Sequence, residues 1–87
     1  MLIEFTGTVE CFITSAGSSF VEVKNSTTAE RELFVLFYAS QGGATSVSAM
    51  WAATLAAARA SGQTVTIKHD EGSSRIRSLM IGKSALI

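Results

Sequence analysis

Residues 46–67, SVSAMWAATLAAARASGQTVTI, combine a helical segment with a strand that follows at once. Thr45 or Ser46 can cap the first turn, and Gly62 suits the left-handed position just past the last turn. Residues 64–68 then alternate polar and apolar side chains, as a half-buried strand does. The pattern predicts a helix over residues 46–60 and a strand over residues 64–68.

The predicted helix has one face of larger side chains and one face of small ones. The larger residues recur three and four positions apart and are expected to pack on the core: Val47, Met50, Trp51, Thr54, Leu55 and Ala58. The opposite face is almost entirely alanine and serine, and Arg59 is the one charged residue of the segment. Such a face lacks the Lys and Glu that a solvated helix usually carries.

Three strands are predicted before the helix. Apolar residues and one glycine occupy the odd positions of the first: Ile3, Phe5, Gly7, Val9, Cys11 and Ile13. The turn-forming residues 15–19 separate it from a second strand over residues 20–24, so this pair predicts a hairpin. Residues 33–38, LFVLFY, form an apolar run that predicts a third strand, buried on both faces.

A fifth strand is predicted over residues 75–81, after a turn at residues 70–74. Three strands, one helix and two strands is the order of the OB-fold, a five-stranded Greek-key barrel. A ferredoxin-like fold needs a helix after its first strand, and residues 15–19 are too few for one. We therefore predict one mainly β domain over residues 1–87, with the helix between strands 3 and 4. A plain α+β sandwich stays open.

The charge composition argues against two classes of function. Of the 87 residues, 47% are apolar and 16% are charged, which is too apolar for a disordered chain. The formal net charge is zero, so the overall field favours neither nucleic acid nor an anionic membrane. The halves differ in sign, because acidic residues prevail in residues 1–44 and basic ones in residues 45–87. Opposite halves of two copies can attract each other, and head-to-tail contacts of this kind can close into rings.

No residue pattern indicates catalysis, a metal or a cofactor. Cys11 and His69 are each the sole residue of their type, and we interpret Cys11 as a buried core thiol and His69 as a solvated strand-end residue. Asp70 and Glu71 are adjacent in a turn, where neighbouring side chains usually point apart. We expect a protein that is not an enzyme and needs no cofactor. With a lone cysteine and no signal-peptide pattern, a reducing compartment such as the cytoplasm is expected, and no run is long enough for a membrane span.

Nucleic-acid binding is the second-ranked function. A basic cluster falls in the last two strands and comprises Lys68, Arg75, Arg77 and Lys83. Three phenylalanines, Phe12, Phe20 and Phe34, are candidates for stacking on bases. Acidic residues on the first two strands oppose this reading, because the ligand groove of an OB-fold that binds single strands needs cations there.

Self-association is predicted from surplus apolar surface. A strand that is apolar on both faces and an uncharged helix face together exceed what one small core can cover. The predicted subunit interface comprises Phe34, Leu36, Tyr38, Ala49, Ala53 and Ala56.

Two segments, MWAATLAAARASGQTVTI at residues 50–67 and RIRSLMI at residues 75–81, resemble the C-terminal half of B subunits of pentameric bacterial toxins. The subtilase-cytotoxin and pertussis-like types are the nearest. The resemblance implies an OB-fold homopentamer with its helices round a central pore, secretion, and binding of cell-surface glycans. The intrachain disulfide of that family cannot form from Cys11 alone, and no sugar-binding motif matches particular residues here.

The sequence therefore predicts a non-catalytic, oligomeric binding module, with carbohydrate as the preferred ligand. Polar residues in the loops at residues 15–19 and 40–46 could hydrogen-bond a sugar. Single-stranded nucleic-acid binding and a purely structural assembly role are the alternatives.

Overall fold

A computed structural model of the chain describes residues 1–43 and 45–81. Over these residues the chain forms five strands and one α-helix: β1 (Leu2–Ser15), β2 (Ser18–Asn25), β3 (Arg31–Phe37), α1 (Ser46–Ser61), β4 (Thr64–Asp70) and β5 (Ser78–Ile81). A short 3₁₀ turn, Ala39–Gln41, follows β3. The prediction of a mainly β chain with one helix between the third and fourth strands is confirmed.

β1 is the central strand of a single antiparallel sheet with the order β3-β2-β1-β4-β5. Its first half, residues 2–8, pairs with β4, and its second half, residues 7–15, pairs with β2. Gly7 belongs to both halves, since it lies opposite Asn25 of β2 and Val65 of β4. A Cβ atom on Gly7 would overlap the carbonyl oxygen of Lys24. Glycine is therefore needed where β1 passes from one partner to the other.

A bulge reverses the faces of β1 after Val9. The register with β2 shifts between Val9 and Cys11, which leaves Glu10 as the extra residue. Beyond it, Phe12 lies opposite the buried Val21. Cys11 lies opposite Glu22 on the outer face and is half-buried. The prediction of a core thiol at Cys11 is thus wrong, because one inserted residue moves the following side chains to the other face.

The first hairpin is confirmed. Ser15 pairs with Ser18, and the two residues between them, Ala16 and Gly17, both have positive φ angles, of 51° and 81°. Two positive φ values in a two-residue loop are typical of the type I′ turn, whose twist matches that of the flanking strands.

The core lies between α1 and the inner face of the sheet. Its members are mostly β-branched and aromatic residues of the strands, with two residues of the helix: Phe5, Val9, Val21, Val23, Phe34, Leu36, Leu55, Ala58, Val65, Ile67 and Ile76. The rings of Phe5 and Phe34 pack edge to face with centroids 5.4 Å apart. This cluster contains residues of four strands and of α1, so it fixes the helix on the sheet.

The buried stripe of α1 differs from the predicted one at its first turn. Val47 and Met50 are 51% and 67% exposed, whereas Ser48 is buried and Trp51 is half-buried against the core. Ser48 closes a capping box: its amide donates to Thr45 Oγ1 at 3.1 Å, and its own Oγ accepts from the Thr45 amide at 2.7 Å. Satisfying the free amides at the helix start turns Ser48 inward and leaves Val47 and Met50 in solvent.

The outer edges of the sheet meet at one point. The Val35 amide of β3 donates to the Ser74 carbonyl oxygen at 2.8 Å, and Val35 forms a parallel bridge with Arg75. Ser74 and Arg75 belong to the β4–β5 connection, residues 71–77, so the predicted strand over residues 75–81 begins instead at Ser78.

Gly7→Ala is expected to lower the free energy of unfolding by about 1–3 kcal/mol, because the added methyl group meets the β2 backbone rather than a side chain that can move. Urea denaturation followed by far-UV circular dichroism measures this. Thr8→Ala, one residue along the same strand, is the control and should change stability far less. Equal stability of Gly7→Ala and wild type would contradict the close approach of β1 and β2.

Candidate functional site

The outer face of β1, β2 and β3 is apolar near the first hairpin. Residues directly opposite each other in neighbouring strands share a face, so Ile13, Phe20 and Val35 form one row across the three strands. Ile13 is exposed and Phe20 is half-buried. Val35 is 4% exposed although it lies outside the main core cluster. This face therefore carries a second, smaller group of apolar side chains.

Two aromatic rings and one guanidinium group meet at the end of this row. The Phe20 and Tyr38 rings pack edge to face with centroids 6.1 Å apart, and the Arg75 guanidinium carbon lies 5.7 Å from the Tyr38 ring centroid. An aromatic pair contributes about 0.5–1.5 kcal/mol and an exposed cation–π contact about 0.5–1 kcal/mol. We call Phe20, Tyr38 and Arg75 the aromatic platform.

Three separate segments hold the aromatic platform. Phe20 is in β2, Tyr38 follows β3, and Arg75 is in the β4–β5 connection. Ser18 Oγ accepts a hydrogen bond from the Ala39 amide at 2.9 Å, which ties the residue after Tyr38 to the start of β2. The link between Val35 and Ser74 fixes the residue before Arg75. The platform is therefore set by the backbone of the fold.

Acidic residues border the platform. Glu22 lies in the row next to Phe20 and pairs with Arg31, whose Nη1 is 3.1 Å from its Oε1. Arg31 Nη2 also lies 3.5 Å from Oε1 of Glu10. One arginine between two carboxylates leaves a formal charge of −1 beside the platform, which disfavours a polyanion there.

The predicted basic cluster does not act as one surface. Lys68 pairs with Glu4 at 3.7 Å, and Arg77 pairs with Asp70 at 2.7 Å, so two of its members have acidic partners. Arg75 lies instead on the aromatic platform, and Lys83 lies outside the described residues. Lys68 also lines a pocket together with Glu4, Thr66, Ser78, Leu79 and Met80.

The residues of the predicted subunit interface separate into three groups. Phe34 is fully buried and Leu36 is 4% exposed, both in the core of the single chain, so their assignment to an interface is wrong. The same burial removes Phe34 as a base-stacking residue. Tyr38 is half-buried on the platform. The alanines at positions 49, 53 and 56 are exposed on α1, next to Val47 and Met50.

His69 is buried, contrary to the prediction of a solvated residue. It is 6% exposed and continues the inward-facing series of Val65 and Ile67 along β4. Its ring packs edge to face on Phe34 with centroids 5.2 Å apart. The period-two alternation of Val65, Ile67 and His69 indicates this burial. The prediction followed instead the acidic turn that comes next, which is typical of solvent-exposed residues.

The described residues offer little for metal or covalent chemistry. Cys11 and His69 lie on opposite faces of the sheet, so they do not form a nucleophile and base pair. Across residues 1–43 and 45–81, no group of three His, Cys, Asp or Glu side chains could hold a metal ion. Within the same residues, no helix is long and apolar enough to cross a membrane.

No protein-family model, curated protein or solved structure matches this chain. The resemblance to toxin B subunits therefore stays a prediction from the sequence.

Phe34→Ala is expected to lower the free energy of unfolding by about 3–5 kcal/mol, because it removes a fully buried ring. Leu33→Ala is the matched control one residue away, where the side chain is exposed, and should cost less than about 1 kcal/mol. Urea titrations of both variants measure the difference. Similar losses for the two would mean that β3 presents a different face to the core.

Proposed function

We propose that the chain is a non-catalytic, oligomeric binding module with an OB-fold, and that it binds carbohydrate at the aromatic platform. The observation that carries the proposal is the meeting of two aromatic rings and a guanidinium group on the outer face of β2 and β3.

The sheet topology supports the OB-fold. The order β3-β2-β1-β4-β5 and the parallel bridge between β3 and the segment before β5 agree with the pairing expected of a partly open five-stranded Greek-key barrel. OB-folds bind oligosaccharides and oligonucleotides on the face of strands 2 and 3 and on the loops after strands 1 and 4. The platform uses the same face and the β4–β5 connection. This argument is an analogy between folds, and the choice of ligand depends on the side chains.

The side chains favour a sugar. Aromatic rings offer apolar surface to the C–H face of a pyranose, and a guanidinium group such as that of Arg75 carries N–H donors of the kind that bind ring hydroxyls. Ser15, which pairs with Ser18 beside the turn, is exposed at the same end of β2, where a second sugar unit would meet its hydroxyl group.

Single-stranded nucleic acid is the second candidate, and the contact of Arg75 with Tyr38 is the observation in its favour. Bases stack on aromatic rings, and arginine contacts phosphate. Against it, Lys68 and Arg77 have acidic partners, and Glu22 borders the platform. A strand of phosphates would therefore find little positive potential along this face.

The exposed face of α1 supports the oligomeric part of the proposal. It carries two large apolar residues, Val47 and Met50, and a row of alanines, with Arg59 as its one charged residue. The Arg59 side chain turns to β1, where its Nε donates to the Glu10 carbonyl oxygen at 3.1 Å. A helix face of this kind is suited to contact with a second copy, and a ring of five is what the toxin resemblance implies.

Binding is tested by a glycan array, followed by calorimetric titration of the best ligand. Tyr38→Ala and Arg75→Ala are each expected to weaken binding about tenfold or more, because they remove the stacking surface and the hydrogen-bond donors. Phe12→Ala and Lys68→Ala are the matched controls, since they remove an aromatic ring and a cation elsewhere on the molecule, and should bind as wild type does.

A titration with single-stranded DNA at two salt concentrations separates the two candidates. Carbohydrate binding predicts no measurable DNA affinity at physiological salt. A blank array combined with DNA affinity that falls steeply with salt would contradict the carbohydrate proposal and favour nucleic acid.

Light scattering at micromolar concentration tests assembly, and the expected mass is several times the 9.2 kDa of one chain. Ala53→Glu places a charge on the exposed face of α1 and is expected to shift the mass towards the monomer. Ser26→Glu, in an exposed loop, is the control and should not. A wild-type monomer would contradict the oligomeric proposal.

A further inference from the structure

We infer that His69 is a positioning residue, which holds the β4–β5 connection in place and so keeps Arg75 over Tyr38. The inference concerns the geometry of the proposed binding site, and it rests on the proposed function only for its ligand-binding readout.

The ring of His69 contacts the connection directly. Its Nδ1 lies 2.8 Å from the Ser73 carbonyl oxygen and 3.1 Å from the Asp70 carbonyl oxygen. Both partners are carbonyl oxygens, which can only accept, so Nδ1 carries the hydrogen and donates. A buried N–H group that donates to the middle of a loop forms a hydrogen bond that water does not easily replace.

The hydrogen bond from His69 to Ser73 lies next to Ser74, which binds β3, and to Arg75 of the platform. Ser73 precedes Ser74, whose carbonyl oxygen accepts from the Val35 amide, and Ser74 precedes Arg75. Ser73 Oγ also accepts from the Arg75 amide at 3.2 Å. Moving Ser73 therefore displaces the link to β3 and the guanidinium on the platform together.

Two further backbone hydrogen bonds hold the ends of the connection. The Glu71 amide donates to the Met1 carbonyl oxygen at 2.9 Å, and the Arg77 amide donates to the Lys68 carbonyl oxygen at 2.8 Å. The ion pair of Arg77 with Asp70 is largely exposed, and such pairs contribute little. His69 thus supplies a buried contact to the centre of the connection from the core side.

Two substitutions separate the hydrogen bond from the packing of the ring. His69→Phe keeps a ring against Phe34 but removes the donor. His69→Asn loses the ring but keeps an amide donor at a distance along the side chain similar to that of Nδ1. Asp70→Asn is the control, because it removes the exposed ion pair of the same connection.

Limited trypsin digestion with mass spectrometry measures how often the β4–β5 connection opens, and it needs no ligand. Cleavage after Arg75 needs the segment around the buried Ile76 to open, whereas cleavage after Lys24 in β2 reports unfolding of the sheet. For His69→Phe we expect cleavage after Arg75, relative to Lys24, to rise about tenfold, as loss of one buried hydrogen bond allows. His69→Asn and Asp70→Asn should stay within about twofold of wild type.

If cleavage after Arg75 rises in His69→Asn but not in His69→Phe, packing of the ring holds the connection and the inference is overturned. Equal cleavage of the two variants would overturn it as well. Should His69→Phe not fold, the imidazole ¹⁵N shifts of the wild-type protein decide: the inference requires the Nδ1–H tautomer, and an Nε2–H tautomer contradicts it.

Ligand binding gives the second readout. If the best glycan binds wild type and His69→Asn alike but binds His69→Phe measurably more weakly, by up to about tenfold, both the inference and the proposed function are supported. Glycan binding that His69→Phe leaves unchanged would overturn the inference alone. The predicted digestion pattern with no glycan binding in any variant would overturn the carbohydrate proposal and leave the role of His69 standing.

Discussion

The hydrogen bond from the Val35 amide to the Ser74 carbonyl oxygen joins the two ends of the sheet, and the remaining structure depends on it. On the inner side of this link, Phe34 packs against Phe5 and His69. On the outer side, Arg75 reaches the Tyr38 ring. Because β3 and the β4–β5 connection are at opposite ends of the strand order, no pairing of neighbours along the chain would bring them together. The link thus sets both the core and the proposed site.

The shape of β1 makes this meeting feasible. A straight strand shared by β2 and β4 would give a flat sheet whose edges stay apart. Instead, Gly7 lets β1 approach β2 closely where it changes partners, and the bulge at Glu10 adds local bend and twist. These two irregularities lie three residues apart in the central strand, where bending favours the meeting of β3 with the β4–β5 connection.

Much of the fold could be predicted from local patterns, and little of the site. Alternation, the apolar run at residues 33–38 and the capping signals gave the right number and order of elements, because those signals are local. Apolar residues continue at the odd positions through Cys11 and Ile13, so the alternation did not indicate the bulge and Cys11 was assigned to the wrong face. Phe34 and Leu36 were assigned to an interface because the sequence does not show that α1 covers them. The platform joins residues far apart in the chain, so no spacing in the sequence indicates it.

A nuclear magnetic resonance measurement of the coupling across the hydrogen bond between the Val35 amide nitrogen and the Ser74 carbonyl carbon tests the central claim most directly. The account predicts a detectable coupling and a Val35 amide that exchanges with solvent only when the core opens. A missing coupling, together with exchange as fast as in an unstructured peptide, would show that the sheet ends do not meet and would contradict the account.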